Sequence, residues 1–268
     1  MEDIRYFVSV YSLKTLICFD QKFLLWNMVS RTLKLRYRRS ALGYLWTLLV
    51  PLSTAAMYYF LFKIIFKIQD PDFAAYVTTG ILIWTYFQGT LIEGMDSLLG
   101  NLPLLLQVNI PLNIFPLTTA IANFFTLILS VPVILLVAYA TGIELKPSSI
   151  LVLYYLGLLG IQAYCLSYIL SITVIYIRDL KQVMALVLQM LMYATPILYQ
   201  MNQIPEKYVW ILFVNPVGKI FTGVHNCLLR GLWPTWVEIF APLAWTIAIF
   251  VVTFVMHTRV SKLAVERI

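Results

Sequence analysis

The feature that most constrains this chain is the recurrence of long runs without a charged residue. Six runs of roughly 20 residues or more lie at 42–62, 73–92, 97–143, 147–177, 182–205 and 239–256. A helix needs about 20 apolar residues to cross a hydrocarbon core about 30 Å thick. Because a charge at the centre of such a helix costs about 2.5–3.5 kcal/mol on insertion scales, the uncharged runs predict membrane-spanning helices.

The predicted fold class is therefore an all-α polytopic membrane protein with six transmembrane helices. The predicted spans are 42–64, 73–94, 114–142, 149–177, 183–200 and 239–257. They divide the chain into an N-terminal arm (1–41), a six-span domain (42–257) and a tail (258–268). The composition agrees, since 61% of the residues are hydrophobic and 12% are charged, against roughly 25% charged residues in soluble domains.

The distribution of Lys and Arg predicts the orientation. With six spans, 13 of the 19 basic residues lie on the side that holds both termini, and eight of these are in the arm. Cytoplasmic loops carry an excess of Lys and Arg, so both termini are predicted to be cytoplasmic. The net charge of +7 is then a consequence of topology, and binding to nucleic acid is not predicted.

Residues 21–39, just before the first span, have the pattern of an amphipathic helix that lies in the headgroup layer. Its apolar and basic residues form two stripes, Trp26, Val29, Leu33 and Tyr37 on one and Arg31, Lys34 and Arg38 on the other. The helix is either a plain topogenic anchor or a contact for an anionic lipid substrate. In the second case Arg36, Arg38 and Arg39 are the best-placed residues.

Two segments between spans are too broken to form ordinary transmembrane helices. Segment 95–113 is apolar and contains Gly100, Pro103 and Pro111, which predicts a short helix on the cytoplasmic face. That helix either docks on a protein partner or packs under the bundle. Residues 205–232 hold two short apolar pieces separated by Asn215-Pro216, which predicts a re-entrant helix pair or an external amphipathic hairpin.

The sequence contains no motif for a chemical reaction. It has no phosphate-binding loop, nucleophile elbow or zinc-binding helix motif, and its three Cys and two His residues lack metal-ligand spacing, so no metal is predicted. The middles of the spans carry no Asp, Glu, Lys or Arg, which proton-coupled transporters and intramembrane enzymes usually need. We therefore expect a transporter subunit without catalytic residues, driven by energy from another chain.

Two further groups of residues are candidates for function. Arg178 and Asp179, which end the fourth span, predict a structural ion pair or a functional switch on the cytoplasmic side. Most of the 17 Tyr, 16 Phe and 7 Trp residues are expected in the interfacial belt or the core. A minority on the first and fifth spans are candidates to line a sugar-conducting path, namely Trp46, Tyr58, Tyr59, Tyr193 and Tyr199.

Several short motifs, in their order and spacing, resemble the polysaccharide-exporting permeases of the ATP-binding-cassette superfamily. They are Leu35-Arg36-Tyr37-Arg38-Arg39-Ser40-Ala41-Leu42-Gly43-Tyr44-Leu45-Trp46 with Pro51, Gly80 to Trp84, Asn101 with Ile110-Pro111 and Pro116, Tyr176-Ile177-Arg178-Asp179, Pro196-Ile197-Leu198-Tyr199, and Asn215-Pro216. The resemblance covers residues 21–262.

The resemblance implies a homodimeric permease of the bacterial inner membrane, working with two ATPase subunits that bind ATP and Mg. It implies export of an undecaprenyl-diphosphate-linked glycan such as O antigen, a capsule-like polymer or teichoic acid, through a channel between the first and fifth spans. Arg36, Arg38 and Arg39 would meet the lipid diphosphate, and the re-entrant pair would close the outer end. The residues that would couple to the ATPase are Asp96, Asn101, Leu102, Leu104, Leu105 and Gln107.

Other functions stay open on the sequence. A drug or small-lipid exporter would share this architecture but would have a narrow channel free of aromatic side chains. A membrane-embedded glycosyl- or acyltransferase predicts a catalytic carboxylate or histidine that faces a pocket, and His225 has no acidic residue nearby in sequence. A passive flippase or a scaffold would work without nucleotide.

Overall fold

The computed structural model describes residues 21–36, 38, 40, 42–68, 70, 72–107 and 110–265, without the side chains of 106, 202 and 260–265. Over these ranges the chain is helical and contains no β-strand. The predicted all-α fold is therefore confirmed for this part of the protein.

The described residues form α-helices of very different length. In chain order they are α1 (Lys22–Arg36), α2 (Trp46–Tyr59), α3 (Phe73–Asp96), α4 (Leu102–Gln107), α5 (Ile114–Ala140), α6 (Val152–Tyr176), α7 (Leu180–Tyr193), α8 (Ile211–Val214), α9 (Gly218–Leu228) and α10 (Trp236–Val265). Short 3-10 turns at Gly43–Leu45 and Pro147–Leu151 lead into α2 and α6, and a π-helical stretch, Phe60–Ile65, follows α2.

Four stretches among the described residues are long and apolar enough to cross a membrane. They are Gly43–Ile65, Ile114–Ala140, Pro147–Tyr176 and Trp236–Arg259, and they match the predicted first, third, fourth and sixth spans. The chain is therefore a multi-pass membrane protein. The predicted second and fifth spans correspond to α3 and α7, which fall outside this group, so the count of six spans stays a prediction.

Helix α3 lies at the centre of the bundle. It has 24 residues, which gives a length of about 36 Å, enough to cross a bilayer. Most of its residues are buried, and it packs chiefly against α5 and α6. Because protein rather than lipid surrounds α3, the helix accommodates Thr, Gly and Gln residues, which lower its mean hydropathy.

Helix α7 is shorter than the predicted span 183–200. Its 14 residues give about 21 Å, and the chain turns after Tyr193. The turn is buried and its polar groups are satisfied: the Asn215 side-chain amide donates to the Thr195 hydroxyl (2.8 Å), and the Tyr76 hydroxyl donates to the Pro196 carbonyl (2.8 Å). Buried irregular backbone requires partners of this kind for its polar groups.

Helices α1 and α9 complete the bundle from outside the spans. The N-terminal helix α1 packs along α5 and buries Met28 and Val29. Helix α9, in the region predicted to be re-entrant, is buried along nearly its whole length between α6, α10 and α3. Its Gly223 lies directly against the ring of Tyr155 on α6, so the two helices approach closely.

Candidate functional site

The last residue of α1, Arg36, enters a polar cluster with α3 and α5. Its Nη2 atom lies 2.7 Å from Glu93 Oε2 and donates to Asn123 Oδ1 at 2.8 Å, and its Nη1 atom donates to the Thr126 hydroxyl at 3.3 Å. The Asn123 amide donates in turn to Glu93 Oε2 (3.1 Å). We call Arg36, Glu93, Asn123 and Thr126 the Arg36 cluster.

The packing of α1 along α5 explains how this cluster forms. Because α1 lies along α5, the side chain of Arg36 contacts Glu93 on α3 and Asn123 on α5. The α5 residues lie within an otherwise apolar helix, where hydrogen bonding to a partner offsets the cost of burying a polar group. The cluster therefore fixes the end of α1 to α3 and α5.

A cavity of about 270 Å³ opens beside the Arg36 cluster. It lies between α2, α3 and α5, and its mainly apolar wall carries several small polar side chains. Besides the cluster, its lining includes Trp46, Thr54, Thr85 and Ser130. A cation among the lining residues of a mainly apolar cavity suits a lipid with an anionic headgroup.

The other two arginines of the predicted lipid site are placed differently. Arg38 is exposed and lies outside the Arg36 cluster. Arg39 lies outside the described residues, as does Tyr37 of the predicted apolar stripe. A role for Arg38 and Arg39 at a lipid diphosphate stays a prediction.

The predicted channel aromatics occupy several environments. Trp46 lines the cavity next to Arg36, and Tyr58 stacks on Phe62 with ring centroids 5.9 Å apart. Tyr59 and Tyr193 are exposed. The Tyr199 hydroxyl donates to the Tyr193 carbonyl at 2.8 Å, which ties the turn after α7 to the end of that helix.

Helices α2 and α7 each present exposed apolar side chains. In α7 only Leu188 is buried, whereas Leu186 and Met190 are more than 60% exposed. Along α2 and the π-helical stretch that follows it, Val50, Met57 and Phe60 are more than half exposed. Such a surface needs lipid or another protein chain against it.

The predicted coupling segment begins at the end of α3. Asp96 forms an ion pair with Lys181 at the start of α7, and the Asn101 side-chain amide donates to the Ser97 carbonyl at 2.8 Å. Leu104 and Leu105 of α4 are partly buried and pack against the cluster of apolar residues that includes Leu98 and Ile172. Leu102 is also partly buried, and Gln107 is exposed.

Arg178 and Asp179 are both exposed in the turn between α6 and α7. In the described part of the chain no ion pair joins them; nearby, Lys181 at the start of α7 pairs with Asp96. A role for Arg178 and Asp179 as a functional switch stays a prediction.

His225 is buried, and the structure gives it a packing partner. Its ring stacks on Tyr76 with centroids 3.7 Å apart. Among the described residues, no group of three or more His, Cys, Asp or Glu is arranged to hold a metal ion. The environment of His225 is therefore that of a core residue rather than of a general base with an acidic partner.

Sequence reasoning missed three members of the Arg36 cluster. In the sequence Glu93 stands with Asp96 at the end of the predicted second span, and Asn123 and Thr126 are polar residues inside a long uncharged run. Nothing in the sequence indicated that they meet Arg36, because 57 and 87 positions separate that residue from Glu93 and Asn123.

The helices and cavity described above define a multi-pass membrane protein with a polar site at one end. Residues 24–229 match the family of ABC-2 type transporters, and the chain belongs to that family. The predicted resemblance to membrane subunits of this superfamily is thus confirmed.

Curated relatives of the chain carry a more specific name. It is similar to two proteins of Klebsiella pneumoniae named "O-antigen export system permease protein RfbA": one is 29% identical over 206 residues (76% of this chain and 79% of the relative), the other 28% identical over 209 (76% and 80%). A Myxococcus xanthus protein of the same name is 29% identical over 213 residues, covering 76% of this chain and 80% of the relative.

Proposed function

We propose that this chain is the permease subunit of an ATP-driven exporter that moves an undecaprenyl-diphosphate-linked polysaccharide, in the first instance O antigen, across the bacterial inner membrane. The observation that carries the proposal is the family match over residues 24–229, combined with relatives named as O-antigen export permeases. Capsule and teichoic acid polymers share the lipid-linked chemistry and are the alternative substrates.

In this proposal the chain crosses the membrane six times, with α3 and α7 as the second and fifth spans and both termini in the cytoplasm. The burial of α3 supports this, because a central helix can cross without being strongly apolar. The shielded turn after α7, together with the buried α9, supports a re-entrant region between the fifth and sixth spans.

The functional assembly is a homodimer with two copies of an ATP-binding-cassette ATPase, which supply the ATP and Mg sites. The exposed apolar surface of α2 and α7 supports a second copy at this position. A channel between the two copies would present the exposed aromatics Tyr59 and Tyr193 to the glycan, since aromatic faces stack on sugar C–H surfaces.

The cytoplasmic end of the path holds the lipid diphosphate at Arg36, with Arg38 and Arg39 alongside. A guanidinium binds phosphate oxygens through two parallel hydrogen bonds, and the cavity at Arg36 leads from that charge to an apolar wall. Segment 96–108 transmits the movement of the ATPase, because it follows directly from α3 and is tied to α7 through Asp96 and Lys181.

Transport in reconstituted vesicles tests the proposal. The chain is co-expressed with a candidate ATP-binding-cassette ATPase, and the complex is inserted into liposomes that contain an undecaprenyl-diphosphate-linked glycan. We expect a complex with two copies of each chain and ATP-dependent appearance of the glycan in the opposite leaflet. Translocation without any ATPase, or a chain that binds no ATPase, would overturn the proposal in favour of a passive flippase or a transferase.

A further inference from the structure

The Arg36 cluster already contains an anion, the carboxylate of Glu93. Only one oxygen of that carboxylate, Oε2, accepts from Arg36 and Asn123, at 2.7 Å and 3.1 Å. The ion pair is open to the surroundings, since the side chains of Arg36 and Glu93 are 25% and 48% exposed. An ion pair this exposed contributes only about 0.2–1 kcal/mol, so another anion can compete with Glu93 for Arg36.

The donors around Glu93 suit a phosphate group better than a carboxylate. Arg36 Nη2 and Asn123 Nδ2 both donate to one oxygen of Glu93, while Arg36 Nη1 donates to the neighbouring Thr126 hydroxyl. A phosphate offers more acceptor oxygens than a single carboxylate oxygen and carries more negative charge. Asn123 Oδ1 holds Arg36 Nη2 at 2.8 Å and keeps the guanidinium oriented when the carboxylate leaves.

We infer that Glu93 is an internal occupant of the Arg36 anion site, and that the phosphate group of a lipid-linked substrate displaces it during loading. This inference rests on the proposed function and assigns Glu93 a role in regulating the same site. The empty permease then holds α1 and α3 together, and arrival of substrate releases α3 from Arg36.

The position of Glu93 gives the displacement a route to the ATPase. Glu93 is three residues before Asp96, the last residue of α3, and Asp96 forms the ion pair with Lys181 on α7. Release of Glu93 therefore removes one tether from the last turn of α3, next to segment 96–108. The same event loosens the start of the coupling segment only when substrate is present.

Binding measurements on the full-length chain in phosphatidylcholine nanodiscs test this inference. The probes are undecaprenyl diphosphate and, separately, phosphatidylglycerol, so that the substrate lipid and an ordinary anionic lipid are distinguished. Removing the competing charge with Glu93→Gln should tighten binding of undecaprenyl diphosphate by about 1.5- to 5-fold, the range for an exposed ion pair. Arg36→Gln should weaken binding of the same probe. Tighter binding of phosphatidylglycerol alone would contradict a lipid-linked substrate as the displacing anion.

Glu144→Gln is the matched control, because Glu144 is an exposed carboxylate in the loop between α5 and α6, far along the chain from the cluster. It should leave both affinities unchanged, and an unchanged thermal midpoint for Glu93→Gln would show that the fold is kept. Weaker binding in both Glu93→Gln and Arg36→Gln would overturn the inference while leaving Arg36 as the anion site. Unchanged binding in both variants would instead remove Arg36 from the proposed function.

Discussion

The contact between Gly223 and Tyr155 makes the fold sensitive to a single methyl group. A Cβ atom added at Gly223 would lie 2.2, 2.4 and 2.7 Å from the Cζ, Cε1 and Cε2 atoms of Tyr155. The Tyr155 ring is fully buried, and its hydroxyl donates to the Glu238 carbonyl at 3.2 Å. The ring therefore has no free space to move into, and Gly223→Ala should push α9 away from α6.

The size of the effect follows from two opposing terms. Replacing a helical glycine with alanine gains about 1 kcal/mol of helix propensity. Overpacking a filled core costs about 1–3 kcal/mol, and three ring atoms below 3.0 Å place this contact at the upper end. We expect a net loss of about 2 kcal/mol, which lowers the thermal midpoint by about 4–8 °C in a chain of this size.

Thermal unfolding of the purified protein in detergent, followed by circular dichroism, measures the loss. The control is Gly157→Ala on α6, where an added Cβ meets nothing within 4 Å and only the propensity gain remains. In a Tyr155→Ala background Gly223→Ala should no longer destabilise, because the clashing ring is gone. Equal midpoints for Gly223→Ala and Gly157→Ala, or an undiminished loss without the Tyr155 ring, would refute the reasoning.

Three further outcomes are expected. Leu104→Asp should reduce the amount of ATPase that co-purifies by about tenfold or more, the size of an interface hot spot. Gln107→Glu on the same helix should change that amount little. Equal recovery of the ATPase with both variants would show that α4 is not part of the interface. Asp96→Lys and Lys181→Asp should each lower export, while each changes the free energy of unfolding by less than about 1 kcal/mol because both side chains are nearly half exposed. The double variant, which reverses the pair, should restore export. A double variant as defective as the single variants would contradict the role of this ion pair. Burial raises the pKa of Asp72, so the stability that the protonated carboxyl contributes is present below the ordinary carboxyl pKa and is lost as the pH rises through the raised pKa. Asp72→Asn should therefore reduce the fall of the melting temperature over this pH range. The same fall in the variant and the unaltered protein would contradict this prediction.

The helical membrane architecture was predictable because its determinants are local. Charges are costly in hydrocarbon wherever they occur, so an uncharged run such as 114–142 identifies a span without knowledge of its neighbours. The structure begins and ends that helix at Ile114 and Ala140. The bounds of α7 were not predictable in the same way, because its end at Tyr193 depends on a turn satisfied by Asn215 and Tyr76 from elsewhere in the chain.

The candidate site was predictable only in part. A basic residue at the mouth of the first span indicated Arg36, since the charge pattern of the interfacial segment is local. The partners of Arg36 could not be predicted from the sequence, because Arg36 and Glu93 are 57 positions apart and meet only when α1 lies along α5. The same holds for Asp96, whose partner Lys181 becomes a neighbour only through the packing of α3 and α7.

The sequence by itself determined that this chain is helical, membrane-embedded and without a catalytic motif, and its ordered motifs indicated the transporter family. The helical, membrane-embedded character depends on the free energy of transferring individual side chains from water to hydrocarbon. That free energy can be read from each segment without knowledge of the others. Only the tertiary structure decided that α3 is central, that α7 ends at Tyr193 before the predicted end of the fifth span, and that Arg36 forms an ion pair with Glu93. Each of these depends on distances between residues far apart in the chain, which only the packing of the helices fixes.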